Sequence, residues 1–181
     1  MYGSRYGDTY YFNKEDGVDY VTDFTNMERP SVTEDSFVFG EGILPEDLEI
    51  TREDLDVRIA NTTNGDVIYV LNGLSQENYQ IEYIFFKDSN DIWTWENDIV
   101  EKALDYKGTP NSETINALEF YENKISGLAG SDRIYGKEKN DTLYGNEGND
   151  ILEGRFGFDK LYGGTGNDIL GDSSTSSEDF L

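Results

Sequence analysis

Hydrophobic and polar positions in the C-terminal third of the chain repeat every nine residues. Five blocks follow one another without a gap, and they begin at residues 127, 136, 145, 154 and 163. Each block opens with glycine-rich turn chemistry and closes with a short segment that carries one apolar side chain at its eighth place. A turn followed by a strand fits this pattern. The eighth-place residues are Ile134, Leu143, Leu152, Leu161 and Leu170.

Such units predict a parallel β-roll over residues 126–172. Two blocks make one full coil, so alternate blocks fall into one parallel sheet and the remaining blocks into the other. The eighth-place aliphatic side chains then fill a thin core between the two sheets. Each turn lies above the turn two blocks earlier.

Between residues 23 and 94 the pattern changes to simple alternation. The segments "LEITREDLDVRIA", "DVIYVL" and "YQIEYIFF" predict strands, and Glu53-Asp54, Asn64-Gly65 and Asn72-Gly73 are turn signals between or beside them. We expect a small antiparallel β unit that caps the open edge of a roll, since an uncovered edge favours aggregation.

Helical signals fill residues 95–125. Thr94 with Asn97 opens a predicted helix over "TWENDIVEKALDYKG", which stops at Gly108. Thr109-Pro110 predicts the start of a second helix that continues to about Lys124. The fold class predicted for the chain is therefore mostly β: a parallel β-roll, a small antiparallel capping unit and one or two linker helices, with a disordered tail at 173–181.

Charge and composition limit the classes of partner that the chain can bind. The 181 residues include 38 acidic and 14 basic residues, for a net charge of −24, which opposes nucleic acids and anionic membrane surfaces and favours cations. With no cysteine and no histidine, thiolate and imidazole metal sites and histidine-based catalysis are excluded for this chain acting alone. No apolar run approaches the roughly 18 residues of a membrane span. We expect oxygen-ligand chemistry and no enzyme.

The sixth place of every block in the nine-residue repeat is aspartate. In the predicted roll these carboxylates stack along the turns, where they repel one another unless a cation lies between them. Calcium suits the arrangement because it takes six to eight oxygen ligands, and glycine turns free carbonyl oxygens to join the carboxylates. The candidate ligand residues and turn glycines are Asp132, Asp141, Asp150, Asp159, Asp168, Gly127, Gly130, Gly136, Gly145, Gly148, Gly154, Gly157, Gly163, Gly164 and Gly166.

These units resemble the GGxGxDxUx nonapeptide of RTX, or haemolysin-type, calcium-binding proteins, and "GGTGNDILG" at 163–171 matches every place. The resemblance implies a calcium-dependent β-roll in a secreted protein that is exported by type I secretion machinery. Lys139 at a fourth place and Phe158 at a fifth place depart from the pattern. Both belong to the pair Asp141 and Asp159, which we expect to form the weakest calcium site.

The N-terminus carries a fainter version of the same motif. In "GSRYGDTYYF" Asp8 falls at the sixth place from Gly3, and in "KEDGVDYVTDF" Asp19 falls at the sixth place. We expect residues 1–22 to be the end of a preceding roll, with both aspartates as calcium ligands; the alternative is acidic turns between ordinary strands. Residues of about 36–100 resemble the haemolysin-type calcium-binding-related segment that joins RTX blocks.

Three functions are compatible with this organisation. The preferred one is a calcium-induced folding module of a larger secreted RTX-type protein of the toxin or adhesin class. A second is an adhesin segment that contacts a host-cell receptor or a glycan through aromatic residues such as Trp93, Trp95 and the many tyrosines. Tyr144 and Tyr162, eighteen residues apart on one outer face of the predicted roll, would instead serve docking of the cap or of a neighbouring subunit. A third is the non-catalytic C-terminal part of an RTX enzyme.

Overall fold

The computed structural model describes residues 7–22, 34–75 and 81–171, and the chain divides into two compact units, residues 1–103 and 104–181. Both units are built mainly from strands, which confirms the mostly-β prediction. The tail at 173–181, for which disorder was predicted, lies outside the described residues.

The first unit contains two four-stranded sheets. In chain order its strands are β1 (Thr9–Phe12), β2 (Val18–Val21), β3 (Ser36–Phe39), β4 (Leu48–Glu53), β5 (Asp56–Asn61), β6 (Val67–Val70), β7 (Tyr83–Phe86) and β8 (Ile92–Thr94). One sheet has the order β1-β3-β7-β8 and the other the order β2-β6-β5-β4. A 3₁₀ turn at Pro45–Asp47 precedes β4.

Strand direction in the first unit is mixed. The pairs β4–β5, β5–β6 and β7–β8 are antiparallel, as the alternating pattern predicts. In contrast, β1–β3, β3–β7 and β2–β6 are parallel, so residues 9–21 belong to the same sheets as the predicted cap. The purely antiparallel description of residues 23–94 was therefore wrong, because an alternating pattern reports which face is buried and not the direction of the neighbouring strand.

Aromatic side chains make up much of the first unit's core. Phe37 is fully buried and meets Phe12 and Trp95 edge to face, with ring centroids 5.0 and 6.2 Å away. The buried indole of Trp95 donates its Nε1–H to the carbonyl oxygen of Gly73 at 3.1 Å. These contacts place Trp95 in the core. Its side chain is therefore not exposed for the receptor or glycan contact that the adhesin hypothesis assigns to it.

The second unit is a two-sheeted parallel roll, which confirms the fold predicted for the nine-residue repeat. Its strands are β9 (Asp105–Lys107), β10 (Thr114–Asn116), β11 (Lys124–Ser126), β12 (Arg133–Tyr135), β13 (Thr142–Glu147), β14 (Ile151–Glu153), β15 (Lys160–Thr165) and β16 (Ile169–Gly171). The sheets have the orders β10-β12-β14-β16 and β9-β11-β13-β15, and every neighbouring pair is parallel.

A single layer of aliphatic side chains fills the roll. Successive core residues come from alternate sheets, and each is aligned with the one two blocks away, as Leu143 is with Leu161. Burial of one such side chain stabilises the fold by about 1.5–3 kcal/mol. The fully or nearly fully buried members are Ile115, Ile125, Ile134, Leu143, Leu152 and Leu161, with Tyr106 and Leu170 partly buried beside them.

The helical prediction for residues 95–125 was correct only at its start. Thr94 caps a π-helical turn, Trp95–Val100, by accepting the Asn97 N–H at 3.4 Å, and α1 (Glu101–Leu104) follows it. The chain then enters β9, three residues before the predicted stop at Gly108.

The second predicted helix, from Thr109 to about Lys124, was wrong. This stretch contains β10 and leads into β11, because Ile115 and Ile125 fill core positions of the roll. The roll thus begins at residue 105 and not at residue 126.

Candidate metal centre

The six-residue turns of the roll stack in two columns. We call the turns at 108–113, 127–132, 145–150 and 163–168 the odd edge, since each precedes a strand of the β10-β12-β14-β16 sheet. The turns at 118–123, 136–141 and 154–159 precede strands of the other sheet and form the even edge.

Each repeat aspartate is hydrogen-bonded to the turn stacked against it. Its Oδ1 accepts the backbone N–H of the sixth residue in the turn two blocks earlier, so carboxylate and amide join neighbouring coils. This bond explains part of the aspartate register, because the side chain sets the spacing of the turns whether or not a cation is bound. The donor and acceptor pairs are Glu113 to Asp132, 2.8 Å; Asp132 to Asp150, 2.8 Å; Asp150 to Asp168, 3.0 Å; Asn123 to Asp141, 2.8 Å; and Asp141 to Asp159, 2.8 Å.

Four of these carboxylates are almost completely removed from solvent. Asp132, Asp141, Asp150 and Asp159 are at most 1% exposed, whereas Asp168 at the last described turn is half-buried. Burial raises the pKa of Asp132, and the neighbouring charges of Asp150 and Glu113 raise it further, while the Glu113 N–H opposes the change. An ionised carboxylate in such a position is costly unless its charge is compensated.

Two carboxylate oxygens on the odd edge lack a hydrogen-bond donor. The Oδ2 atoms of Asp132 and Asp150 are buried and accept no hydrogen bond within the described part of the chain. A buried anionic oxygen without a donor is a position that a cation can fill.

The first-place glycines leave space for these oxygens. A Cβ added to Gly127 or Gly145 would overlap Oδ2 of Asp132 or Asp150, and a Cβ on Gly163 would lie 2.5 Å from Oδ2 of Asp168. Glycine is therefore required here by the carboxylate of its own block. Gly136 and Gly154 have the same relation to Asp141 and Asp159 on the even edge.

Left-handed backbone geometry recurs at two places of the odd-edge turns. The fourth-place glycines Gly130, Gly148 and Gly166 have φ of 110°, 148° and 129°. The carbonyl oxygens of Gly130 and Gly148 face the next turn so closely that a Cβ there would overlap them. Second-place residues of these turns take left-handed φ even where they are not glycine: Leu128, 75°; Asn146, 73°; and Gly164, 103°. Arg155, at the second place of the even-edge turn 154–159, has φ of 72°.

Carboxylates and backbone carbonyls are therefore the ligand types that these turns offer. In the described ranges, no three histidine, cysteine, aspartate or glutamate side chains converge as a metal cluster. Calcium fits this donor set, because it accepts carboxylate and carbonyl oxygens in flexible geometry, whereas magnesium requires a near-ideal octahedron.

The two N-terminal aspartates proposed as ligands lie on different sheets. Asp8 precedes β1 and donates its N–H to Oδ1 of Asp35 at 2.6 Å. Asp19 lies within β2, opposite Ile68. The structure therefore does not bring Asp8 and Asp19 together at one site.

Other acids of the first unit make the bond seen in the roll. Asp66 Oδ1 accepts the Gly17 N–H at 2.9 Å, and a Glu82 carboxylate oxygen accepts the Asp35 N–H at 2.5 Å. Asp35, Asp66 and Glu82 each directly precede a parallel-paired strand. An acid at that position was the signal available in the sequence, and our sequence analysis missed it.

The sequence analysis also missed two sixth-place residues of the roll, Glu113 and Asn123. Gly108, Glu113 and Ile115 occupy the first, sixth and eighth places of a divergent block, and Asn123 occupies the sixth place of the next one. The Glu113 carboxylate accepts the N–H and the hydroxyl of Thr109 at 2.6 and 2.9 Å.

Comparison with known proteins agrees with this geometry. Residues 126–161 and 144–170 match the sequence model of the RTX calcium-binding nonapeptide repeat, in four copies. The roll therefore carries repeats of the RTX calcium-binding type. None of the curated proteins matches the chain.

One similar solved structure is the extracellular lipase LipA of Serratia marcescens, with 16% identity and a TM-score of 0.34. The match covers 97% of this chain and 32% of the lipase, so the chain spans about a third of that protein's length. Within the described ranges, every helix is too short or too polar to cross a bilayer.

Proposed function

We propose that the roll is a calcium-induced folding module, in which cations bound along the stacked turns make the two-sheeted coil the preferred state. The observation that carries this proposal is the pair of buried Oδ2 atoms on Asp132 and Asp150 that accept no hydrogen bond. Folding without a cation buries these charges uncompensated, and a bound cation removes that penalty.

The residues that would hold calcium are the carboxylates of Asp132, Asp150 and Asp168 together with carbonyl oxygens of the glycine turns. When bound, the ion supplies positive charge between stacked carboxylates. The chain positions those carboxylates through the bonds from the Glu113, Asp132 and Asp150 amides, so the Oδ1 atoms are fixed, while the Oδ2 atoms of Asp132 and Asp150 accept no hydrogen bond.

Mass action sets the size of the effect. A cation that binds only the folded roll stabilises it by RT ln(1 + [Ca²⁺]/Kd), or about 1.4 kcal/mol per site at a tenfold excess over Kd. Extracellular calcium modules have Kd values of roughly 10⁻⁴ to 10⁻³ M. Two such sites contribute about 2.8 kcal/mol, a large part of the stability of a small domain.

This thermodynamic switch suits a larger secreted protein of the toxin or adhesin class. In a low-calcium cytosol the acidic repeats would remain unfolded and compatible with type I secretion, and they would fold outside the cell. The match to RTX repeats supports this proposal. We assign the module no catalytic role, since the chain has neither histidine nor cysteine and the repeat aspartates accept hydrogen bonds between stacked turns.

A titration of the intact chain followed by far-ultraviolet circular dichroism tests the proposal. We expect β content to increase with calcium between about 0.01 and 10 mM and to remain unchanged with magnesium over the same range. A spectrum that does not respond to calcium, or that responds equally to magnesium, would be incompatible with a calcium-induced fold.

A further inference from the structure

We infer that calcium binds along the odd edge and not at Asp141 of the even edge, where protein donors take the place of the cation. This inference rests on the proposed function, because it locates the calcium sites of the same roll. The two edges have matching strand registers and similarly spaced aspartates, so the difference lies in their turns.

The carboxylate of Asp141 has hydrogen-bond donors on both oxygens. Its Oδ1 accepts the backbone N–H of Asn123 at 2.8 Å and the Asn123 side-chain Nδ2–H at 2.9 Å. Its Oδ2 accepts the Lys137 N–H at 2.9 Å. The corresponding Oδ2 atoms of Asp132 and Asp150 accept no hydrogen bond, so the oxygen that would face a cation on the odd edge is already bonded at Asp141.

The backbone of turn 136–141 explains the extra bond. The turns at 127–132, 145–150, 154–159 and 163–168 all have left-handed φ at both their second and fourth places. Turn 136–141 has Lys137 and Lys139 at these places, and neither has positive φ. Other second-place residues are left-handed without being glycine, but the fourth place is glycine in all four of those turns, and Lys139 meets a steric cost there that glycine does not. This turn therefore adopts another conformation, in which the Lys137 amide points at its own aspartate.

The turn stacked before it is also unlike an odd-edge turn. Turn 118–123 ends in Asn123, which is 3% exposed and contributes amide donors where the odd edge has the carboxylate of Glu113. The Asn123 side chain also donates to the carbonyl oxygens of Leu118 and Tyr121, at 3.0 and 2.8 Å. An amide so engaged cannot be exchanged for a cation without breaking three hydrogen bonds.

The experiment counts the calcium ions bound by the intact chain and by two matched variants, Asp150→Asn on the odd edge and Asp141→Asn on the even edge. Equilibrium dialysis and native mass spectrometry give the stoichiometry. Both substitutions neutralise one carboxylate that is at most 1% exposed and that accepts an amide from the preceding turn. We expect Asp150→Asn to lose bound calcium, or to bind it at least tenfold more weakly, and Asp141→Asn to keep the wild-type number of ions and affinity.

Loss of ions from Asp141→Asn equal to that from Asp150→Asn would overturn the inference while leaving calcium-induced folding in place. A wild-type chain that binds no calcium would instead overturn the proposed function itself.

Because a variant can fail to fold, the wild-type chain provides a second measurement. Anomalous scattering from a calcium-bound crystal of the wild-type chain should show ions at the turns that contain Gly130 and Gly148 and none beside Lys137 and Asn123. An ion bound by the Asp141 carboxylate would contradict the inference.

Discussion

Replacement of Gly145 by alanine tests the metal centre by adding one methyl group and no charge. A Cβ at Gly145 would lie 2.9 Å from Cγ of Asp150, and it would overlap Oδ2 of Asp150 and the carbonyl oxygen of Gly163. Gly145 does not have left-handed φ, so backbone strain at residue 145 does not contribute. The carbonyl belongs to the stacked turn, and the Asp150 carboxylate is therefore the group that must move.

The expected cost follows from what Asp150 loses. Forcing an extra carbon into a packed site costs about 1–3 kcal/mol, and the hydrogen bond from the Asp132 amide to this carboxylate is worth about 1.5–3 kcal/mol. The two terms overlap, because the same displacement relieves the contact and weakens the bond. We expect a loss of about 3 kcal/mol, which corresponds to an opening equilibrium constant of the roll that is about 150-fold larger.

Amide hydrogen exchange measured by NMR in saturating calcium gives this value for the roll separately from the first unit. Gly171→Ala is the matched control, because nothing lies within 4 Å of a Cβ at Gly171, and its cost should stay within about 0.5 kcal/mol. If Gly145→Ala exchanges its roll amides no faster than Gly171→Ala, the glycine does not make room for a functional carboxylate and our reasoning about the site is wrong.

Three further predictions concern the buried groups of the roll. In chelator, the roll should become more stable as the pH falls from neutrality toward about 3.9, because burial raises the pKa of Asp132 and of Asp141 in the folded state. The stability contributed by their protonated forms is lost as the pH rises through those raised pKa values. Urea midpoints that decrease steadily as the pH falls over this range would contradict the direction of the pKa shifts. Asn123→Ala should destabilise the roll by about 1–3 kcal/mol equally with calcium and with chelator, since it leaves buried acceptors without donors, and a loss that calcium abolishes would show that a cation replaces the amide. Leu143→Ala should cost about 2–5 kcal/mol because Leu143 is fully buried, whereas Ile169→Ala, at a position that is 62% exposed, should cost much less in the same denaturant titration.

The nine-residue period contained enough information to predict the roll. Glycine, aspartate and an aliphatic residue at fixed places specify a turn, its stacked acid and one core side chain, and all three were found where the register put them for residues 127–171. The roll's first turns escaped detection because an extra residue interrupts the register there. Ile115 pairs with Ile134 at a separation of 19 residues, whereas Ile125 pairs with Leu143 at 18.

Other features of the site are not encoded in a pattern of side chains. The bonds from backbone amides to Asp132, Asp150 and Asp168 depend on the stacking of turns, and any residue except proline can supply such a donor. The departure at Lys139 was visible in the sequence, and it predicted a weaker site at Asp141. Only the backbone structure of the turn shows that the Lys137 N–H already donates to Oδ2 of Asp141, the oxygen that would face a cation.

The most direct test of calcium-induced folding compares amide hydrogen exchange across residues 127–171 of the intact chain in excess chelator and in calcium at ten times its Kd. Calcium should slow exchange of the buried roll amides by at least about 100-fold, the equivalent of two sites at about 1.4 kcal/mol each, and magnesium should not. Equal protection of these amides in chelator and in calcium would contradict calcium-induced folding.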